Sequence, residues 1–355
     1  MTILMVSPYF YPEGGGLEGY AYQIAKSLSK NNKVTVVCFT RGAPRTEKIG
    51  EITVYRLKPL FILSNTPVGF SIIPTILQIL KKEKVELIIG HTPVPFAVDV
   101  ASLLAKLFRI PLKIVYHTVG LEKGFKGLDL IGRIYAMTLE RITLRNSELI
   151  SVSEIVWEHL KSKGYNSRIK PPGISEELRK TKVKENVRKE KAILFVGQLG
   201  KYHRFKNLDM LIKVFAEVSK EFPEWKLWVV GDGDLMDYYK KIALELGLKD
   251  KVIFFGRINN SEELAKVYSR AKLFVLPSSF ESFGITVLES LHFGTPVVVN
   301  EKVGAARRLV FHGKNGFLFK TEKDLARILK TLMENPKTLK KLSKKHSQNI
   351  QLKIR

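Results

Sequence analysis

Short apolar runs alternate with helix-period stretches along almost the whole chain, and few folds accommodate that pattern. In the first half, residues 3–6, 34–39, 54–57, 87–89, 114–117 and 149–152 read as strands, with helical stretches at 20–29, 72–82 and 96–108. Strand–helix alternation of this kind predicts a parallel sheet wrapped by helices. The pattern breaks at Pro171-Pro172-Gly173, and a charge-rich stretch, 179–191, follows without strong periodicity. A new alternation then begins, with strands at 192–196, 227–230, 252–255, 273–276 and 297–299. The expected fold is α/β: two doubly wound Rossmann-like domains, residues 1–170 and 171–355, joined near 166–190 and facing across a cleft. In such sheets ligands bind at the carboxyl ends of the strands.

A length of 355 residues gives room for two domains of ordinary size. Lys and Arg outnumber Asp and Glu by 59 to 34, a net charge of +25 that calls for an anionic partner such as a sugar nucleotide, an acidic lipid surface or nucleic acid. Residues 320–355 carry 11 Lys/Arg against 3 acidic residues, but basic residues are otherwise spread along the chain. No clustered basic face with interleaved aromatics marks a nucleic-acid binder, so none is expected. Lysine enrichment is also a habit of thermophile proteins. The single cysteine, Cys38, lies in an apolar run, which excludes an internal disulfide and argues for a small core residue. The first eight residues lack the basic segment and long apolar stretch of a signal peptide, and no run reaches the length of a membrane span. The expected location is cytoplasmic, with contact to the inner face of the membrane.

The most informative polar segment runs from Glu281 to Glu289. An apolar strand stops at Pro277, a Ser-Ser-Phe turn follows, and apolar residues recur at helical spacing from Gly284 until Gly294-Thr-Pro296. Glu281 then precedes the helix, and Glu289 lies within it, about two turns on from Glu281. A helix start offers unbonded amides and a positive dipole end to an anion such as a nucleotide diphosphate. The two carboxylates suit sugar and ribose hydroxyls.

Other segments support or compete with that chemistry. Gly14-Gly15-Gly16-Leu-Glu-Gly19 matches a dinucleotide fingerprint, yet seven residues separate it from the strand, and no acidic residue stands near 39–41 for a ribose. A glycine turn whose amides approach a phosphate fits it better than a dehydrogenase site. Asp232-Gly-Asp234 has the form of a metal-holding D-x-D, but it follows a strand as a tight turn and is expected to be structural. Metal-independent chemistry then needs protein cations. The loop after the strand ending at Gly197 supplies them in Arg204 and Lys206, which can neutralise a departing diphosphate. His117 and His91 stand at the ends of neighbouring strands, and Ser153 fits a helix N-cap.

These segments together resemble the glycosyltransferase 4 family, whose members have the GT-B fold and retain anomeric configuration. The resemblance runs from the glycine turn at 14–16, where Glu18 takes the place of a common glutamate, to Gly313-Lys-Asn315-Gly316. It implies transfer of a sugar from a nucleotide-diphosphate sugar to an acceptor hydroxyl, without metal or other cofactor. It also implies roles for His117 near the reacting sugar, Lys206 and Arg204 on the leaving group, Glu281 with the amides of Phe283 and Gly284 on the donor sugar and diphosphate, and Glu289 on the ribose. Gly15, Gly16 and Gly197 would line the donor. The chain departs from the pattern at Gln198, Asn207, Ala305 and Arg308, and no aromatic-rich crossover helix follows Lys345. The acceptor is not readable; an apolar loop at 59–74 is either packing of a long connection or a lipid-facing lip. A lipid-linked or glycan acceptor, and cell-envelope synthesis, follow as expectations. The rivals are a GT-B phosphorylase, a nucleotide-sugar epimerase, an NAD(P) enzyme and a non-catalytic anion binder.

Overall fold

The computed structural model describes every residue except 64–65, 120–125, 184–186 and 345–355. Gly120, part of the 59–74 loop, the middle of the 179–191 stretch and the tail from Lys345 on thus lie outside the described residues. The chain divides into two compact units, Met1–Pro172 and Gly173–Arg355.

In the first unit β1 (Thr2–Val6) leads through the glycine turn into α1 (Gly16–Leu28) and β2 (Lys33–Phe39). A hairpin follows, β3 (Arg45–Ile49) antiparallel to β4 (Ile52–Leu57), and then a second, β5 (Phe61–Leu63) with β6 (Thr66–Val68). Next come α2 (Ile72–Lys82), β7 (Leu87–Thr92), α3 (Ala97–Leu107), β8 (Leu112–Tyr116), α4 (Lys126–Met137), α5 (Leu139–Arg145), β9 (Glu148–Ser151), α6 (Glu154–Ser162) and β10 (Ser167–Ile169). The sheet order is β10-β9-β8-β7-β1-β2-β4-β3, parallel except for the edge strand β3. The sequence does not announce β3, because an exposed edge strand made of Arg-Thr-Glu-Lys-Ile has no apolar face to show. Strand order reverses between β7 and β1, so the turns after these strands open a switch point. Ser153 caps α6 by accepting from the Val156 amide, as its position predicts. Cys38 is buried and free, and burial pushes its thiol up to about 12.

Helices α4 and α5 are anchored by one buried carboxylate on α3. Asp99 accepts hydrogen bonds from Tyr135 Oη (3.1 Å), Thr143 Oγ1 (2.6 Å) and the Phe96 amide (2.7 Å). Three donors satisfy a group that would otherwise be costly to bury.

The second unit begins with α7 (Glu176–Lys180) and continues through β11 (Glu190–Val196), α8 (Leu208–Val218), β12 (Lys226–Val230), α9 (Met236–Glu245) and β13 (Val252–Gly256). It ends with α10 (Ser261–Arg270), β14 (Ala271–Leu276), α11 (Ile285–His292), β15 (Val297–Asn300), α12 (Ala306–Leu309), β16 (Gly316–Phe319), α13 (Glu322–Glu334) and α14 (Pro336–Lys344). All six strands are parallel, in the order β13-β12-β11-β14-β15-β16. Along β11, Ile193 and Phe195 enter one core while Ala192 and Leu194 enter the other. That is the two-sided burial expected of a parallel sheet. Here the order reverses between β11 and β14, and the loops after those two strands carry the basic segment and the Glu281 segment.

Candidate active site

The second unit brings two of the expected residues into direct contact. Lys206 closes a short 3-10 segment (Lys201–Lys206) after β11, and Glu281 lies in the loop after β14. Lys206 Nζ stands 2.5 Å from Glu281 Oε1, with the side chains 15% and 17% exposed. Ser278 Oγ donates to the same carboxylate oxygen at 3.2 Å. Gly197 makes room for this arrangement. A Cβ there would stand 2.9 Å from Lys206 Cδ, so the missing side chain admits the lysine stem.

Asn207 explains one departure from the family pattern. Its backbone is left-handed (φ 52°, ψ 40°), a conformation in which asparagine is the usual substitute for glycine. Its Nδ2 donates to the Pro277 carbonyl (3.1 Å), and the Ser279 amide donates to the Phe205 carbonyl (2.8 Å). The two loops are therefore stitched together, which fixes the Lys206–Glu281 pair.

Beyond Glu281, Gly284 adopts φ 84° and precedes α11, where a Cβ would meet Val303 Cγ1 at 2.7 Å. The Val287 amide donates to the Gly284 carbonyl at 3.0 Å, so the amides of Phe283, Gly284 and Ile285 come before the helix's own bonding. The Phe283 ring is buried in the core, while its carbonyl accepts from Ala305. Glu289 is partly buried one turn further on and accepts from Tyr268 Oη at 2.7 Å. Burial pushes its carboxyl up to about 7, with the Tyr268 bond acting in the opposite direction. Tyr268, on α10, carries no sequence signal linking it to Glu289.

Other residues singled out in the sequence make different contacts. Arg204 does not join the pair: it is exposed and its guanidinium lies over the Tyr238 ring at 5.6 Å, against α9. The Gly15 amide, expected to face a phosphate, donates instead to Glu18 Oε2 at 2.6 Å. The protein's own carboxylate thus holds the anion position at the start of α1, beside Gly16. Gly304-Ala305 and Asn315-Gly316 are framework. The Gly304 amide bonds the Glu281 carbonyl, and Asn315 bridges the Phe311 amide and Leu309 carbonyl.

The D-x-D segment is a turn. Asp232 Oδ1 accepts from the Gly233 amide and Asp234 Oδ1 from the Lys201 amide, both at 2.8 Å. Gly231 packs against the backbone of Gly197 so closely that a Cβ would fall 1.8 Å from its carbonyl oxygen. Among the described residues no group of three metal-type ligands converges.

In the first unit His117 follows β8 directly, one residue beyond the strand end at Tyr116, and its amide donates to the Thr92 carbonyl. Its Nε2 lies 2.9 Å from His91 Nδ1 on the adjacent β7. Burial holds both imidazoles well below the ordinary histidine range, His91 at about 3. His91 is thus the direct partner of His117.

Comparison with known proteins gives this geometry a context. Residues 177–349 match the family model described as glycosyl transferases group 1, and residues 14–178 match that of glycosyltransferase family 4. An uncharacterized glycosyltransferase of Methanocaldococcus jannaschii is 30% identical over 338 residues, spanning 89% of this chain and 84% of that protein. The alpha-monoglucosyldiacylglycerol synthase of Streptococcus pneumoniae is 28% identical over 359 residues, spanning 95% and 79%. Among solved structures, Anabaena HepE in complex with UDP and glucose is similar with a TM-score of 0.78 at 20% identity, covering 100% of this chain and 95% of that one. The chain belongs to glycosyltransferase family 4 and is a glycosyltransferase of the GT-B fold.

Proposed function

We propose that this glycosyltransferase takes its sugar from a nucleotide-diphosphate donor, retains anomeric configuration and works without a metal ion. The reading rests above all on the Lys206–Glu281 pair, held at the switch point of the second unit beside the amides that precede α11. When a donor binds, the diphosphate competes with Glu281 for Lys206. The amides of Phe283 and Gly284 add further donors to the anion, and the released Glu281 carboxylate accepts from sugar hydroxyls. The bond from the anomeric carbon to the phosphate oxygen breaks while the acceptor oxygen attacks the same face. The acceptor's proton passes to the leaving phosphate, so the protein supplies position and charge rather than a strong base. Asp232 and Asp234 are engaged by backbone amides, which supports a cationic rather than metal-bridged diphosphate site. UDP in the similar HepE structure belongs to the same ligand class.

Incubation with UDP-, GDP- and ADP-sugars in EDTA tests the reading, with the product anomer read by proton NMR. Transfer with the donor's configuration supports it. An inverted product, or activity that appears only with added Mg²⁺ or Mn²⁺, contradicts it; free sugar phosphate or epimerised nucleotide marks one of the rival enzymes.

Glu289 adds a pH dependence. A carboxylate accepts hydrogen bonds from both ribose hydroxyls, whereas the protonated acid offers one oxygen fewer. With its carboxyl raised to about 7, the binding form accumulates as pH rises through 7. Donor affinity is expected to improve about tenfold between pH 6 and 8, following the ionised fraction. Calorimetric titration checks this, and the rise should vanish in Glu289→Gln; equal pH profiles for the two proteins would remove Glu289 from the ribose site.

A membrane-associated acceptor fits the first unit. Along α4, Leu130, Ile134 and Met137 recur at spacings that form one stripe, and Ile131 with Leu139 and Ile142 of α5 are likewise about half exposed or more. Arg141, Arg145 and Lys163 line an adjoining pocket of about 290 Å³. The β5–β6 hairpin also exposes Phe61, Ile62 and Leu63, which favours a lipid-facing lip over buried packing. No helix among the described residues is long and apolar enough to cross a membrane. An apolar stripe bordered by cations suits peripheral binding to acidic lipid. Co-sedimentation with phosphatidylglycerol vesicles, weakened by salt, is the expected result; absence of binding at low salt would contradict it.

A further inference from the structure

His91 and His117 form a pair in which a single proton must be assigned. His91 lies on β7 and His117 just after the adjacent parallel strand β8, with His91 fully buried and His117 8% exposed. The Nδ1–Nε2 separation of 2.9 Å is a hydrogen bond. Burial dominates the environment of both rings, and each stays neutral at physiological pH. One ring therefore donates and the other accepts.

Two tautomer arrangements satisfy that bond, and they differ at the far side of His91. If His117 donates through Nε2–H, His91 must carry its own proton on Nε2. His91 Nε2 is buried and has no hydrogen-bond partner, so this arrangement leaves an orphaned N–H in the interior. If His91 donates through Nδ1–H, its Nε2 is a bare acceptor, and His117 carries its proton on Nδ1. Buried N–H groups without partners are rarer in proteins than under-satisfied acceptors, which favours the second arrangement.

We propose that His91 is a positioning residue that donates Nδ1–H to His117 Nε2 and thereby fixes His117 as the neutral tautomer protonated at Nδ1. His117 then presents a hydrogen-bond donor, and whatever meets Nδ1 must be an acceptor, such as the oxygen of a sugar hydroxyl. Neither ring nitrogen of His117 can take the acceptor's proton, since Nδ1 is occupied and Nε2 is engaged by His91. This deepens the proposed function: it rests on that reading and on the role at the sugar that the family resemblance implies for His117, and it leaves the phosphate as the proton's destination.

The test is long-range proton–nitrogen NMR of the protein labelled at histidine with ¹⁵N, with His117 assigned from the spectrum of His117→Gln. The expected wild-type pattern has proton-bearing nitrogens at His91 Nδ1 and His117 Nδ1, and bare nitrogens at both Nε2 positions. In His91→Leu the His117 proton is expected to shift toward Nε2, with kcat lower by about tenfold, the loss of one ordinary hydrogen bond. His91→Asn, whose amide can donate from nearly the same place, restores the tautomer and much of the rate. A wild-type His117 protonated at Nε2 overturns the proposal, and the wild-type spectrum decides this even if the leucine variant does not fold. Full turnover by His117→Gln alongside the expected wild-type spectrum would instead refute the role of His117 at the sugar and leave the tautomer assignment standing.

Discussion

Lys206→Ala is expected to lower kcat with the nucleotide-sugar donor by about two to three orders of magnitude, the usual cost of losing one well-placed donor to a developing anion. The size of the effect follows from what remains. Glu281 would keep its position through Ser278 and the Gly304 amide, now as a carboxylate without its cation beside an incoming diphosphate. Repulsion would add to the lost attraction. The double variant Lys206→Ala/Glu281→Gln should therefore lose less than the product of the two single losses, the mark of residues that act as a unit. Steady-state kinetics on the four proteins measures this, and a single variant within threefold of wild type would remove Lys206 from the leaving-group site. Gly197→Ala probes the same residue indirectly, since its methyl would press on the lysine stem.

Gly304→Ala is expected to destabilise the second unit by about 3 kcal/mol or more, at the upper end of overpacking costs. A Cβ at 304 would lie 2.1 Å from the Ser282 carbonyl oxygen and 3.0 Å from that of Glu281. Both are backbone atoms, so no side chain can swing aside. The same contact zone carries the bonds from the Gly304 amide to the Glu281 carbonyl and from the Ala305 amide to the Phe283 carbonyl, each 2.8 Å. Separating the strands of backbone would break these and displace the Glu281–Gly284 loop. Gly313→Ala is the control: its φ is 70° but no atom lies within 4 Å of the new methyl, so only the conformational cost of about 1 kcal/mol applies. Urea denaturation compares the two variants, and equal small losses would show that the 282–304 contact yields without strain.

The parts of the fold legible in the sequence are those whose signal is local. Strands buried on both faces, such as Leu273 to Leu276, announce themselves as apolar runs, and turn residues mark where they stop. β3 is silent because its polar residues face solvent, and β16 shows only as a motif around Gly316, too short and glycine-led to stand out as a strand. The site divides in the same way. Lys206, Glu281 and His117 are legible as polar residues that follow apolar strands, the end of a parallel sheet where ligands bind. Partnerships across the fold are not legible. Lys206 and Glu281 are 75 residues apart, and Tyr268 and Glu289 are 21 apart, so only the folded loops reveal their contacts. Arg204 lies two residues from Lys206, yet it turns to Tyr238, because a 3-10 segment points successive side chains in different directions. At the glycine turn the sequence does not show that the Gly15 amide bonds the Glu18 carboxylate.

Calorimetric titration of a nucleoside diphosphate in EDTA, with wild type and Lys206→Ala side by side, tests the central claim most directly. Saturable binding by wild type, weakened at least tenfold in the variant by loss of a charge-assisted contact, is the predicted outcome. Binding that requires Mg²⁺ or Mn²⁺, or an affinity unchanged by the substitution, would contradict it.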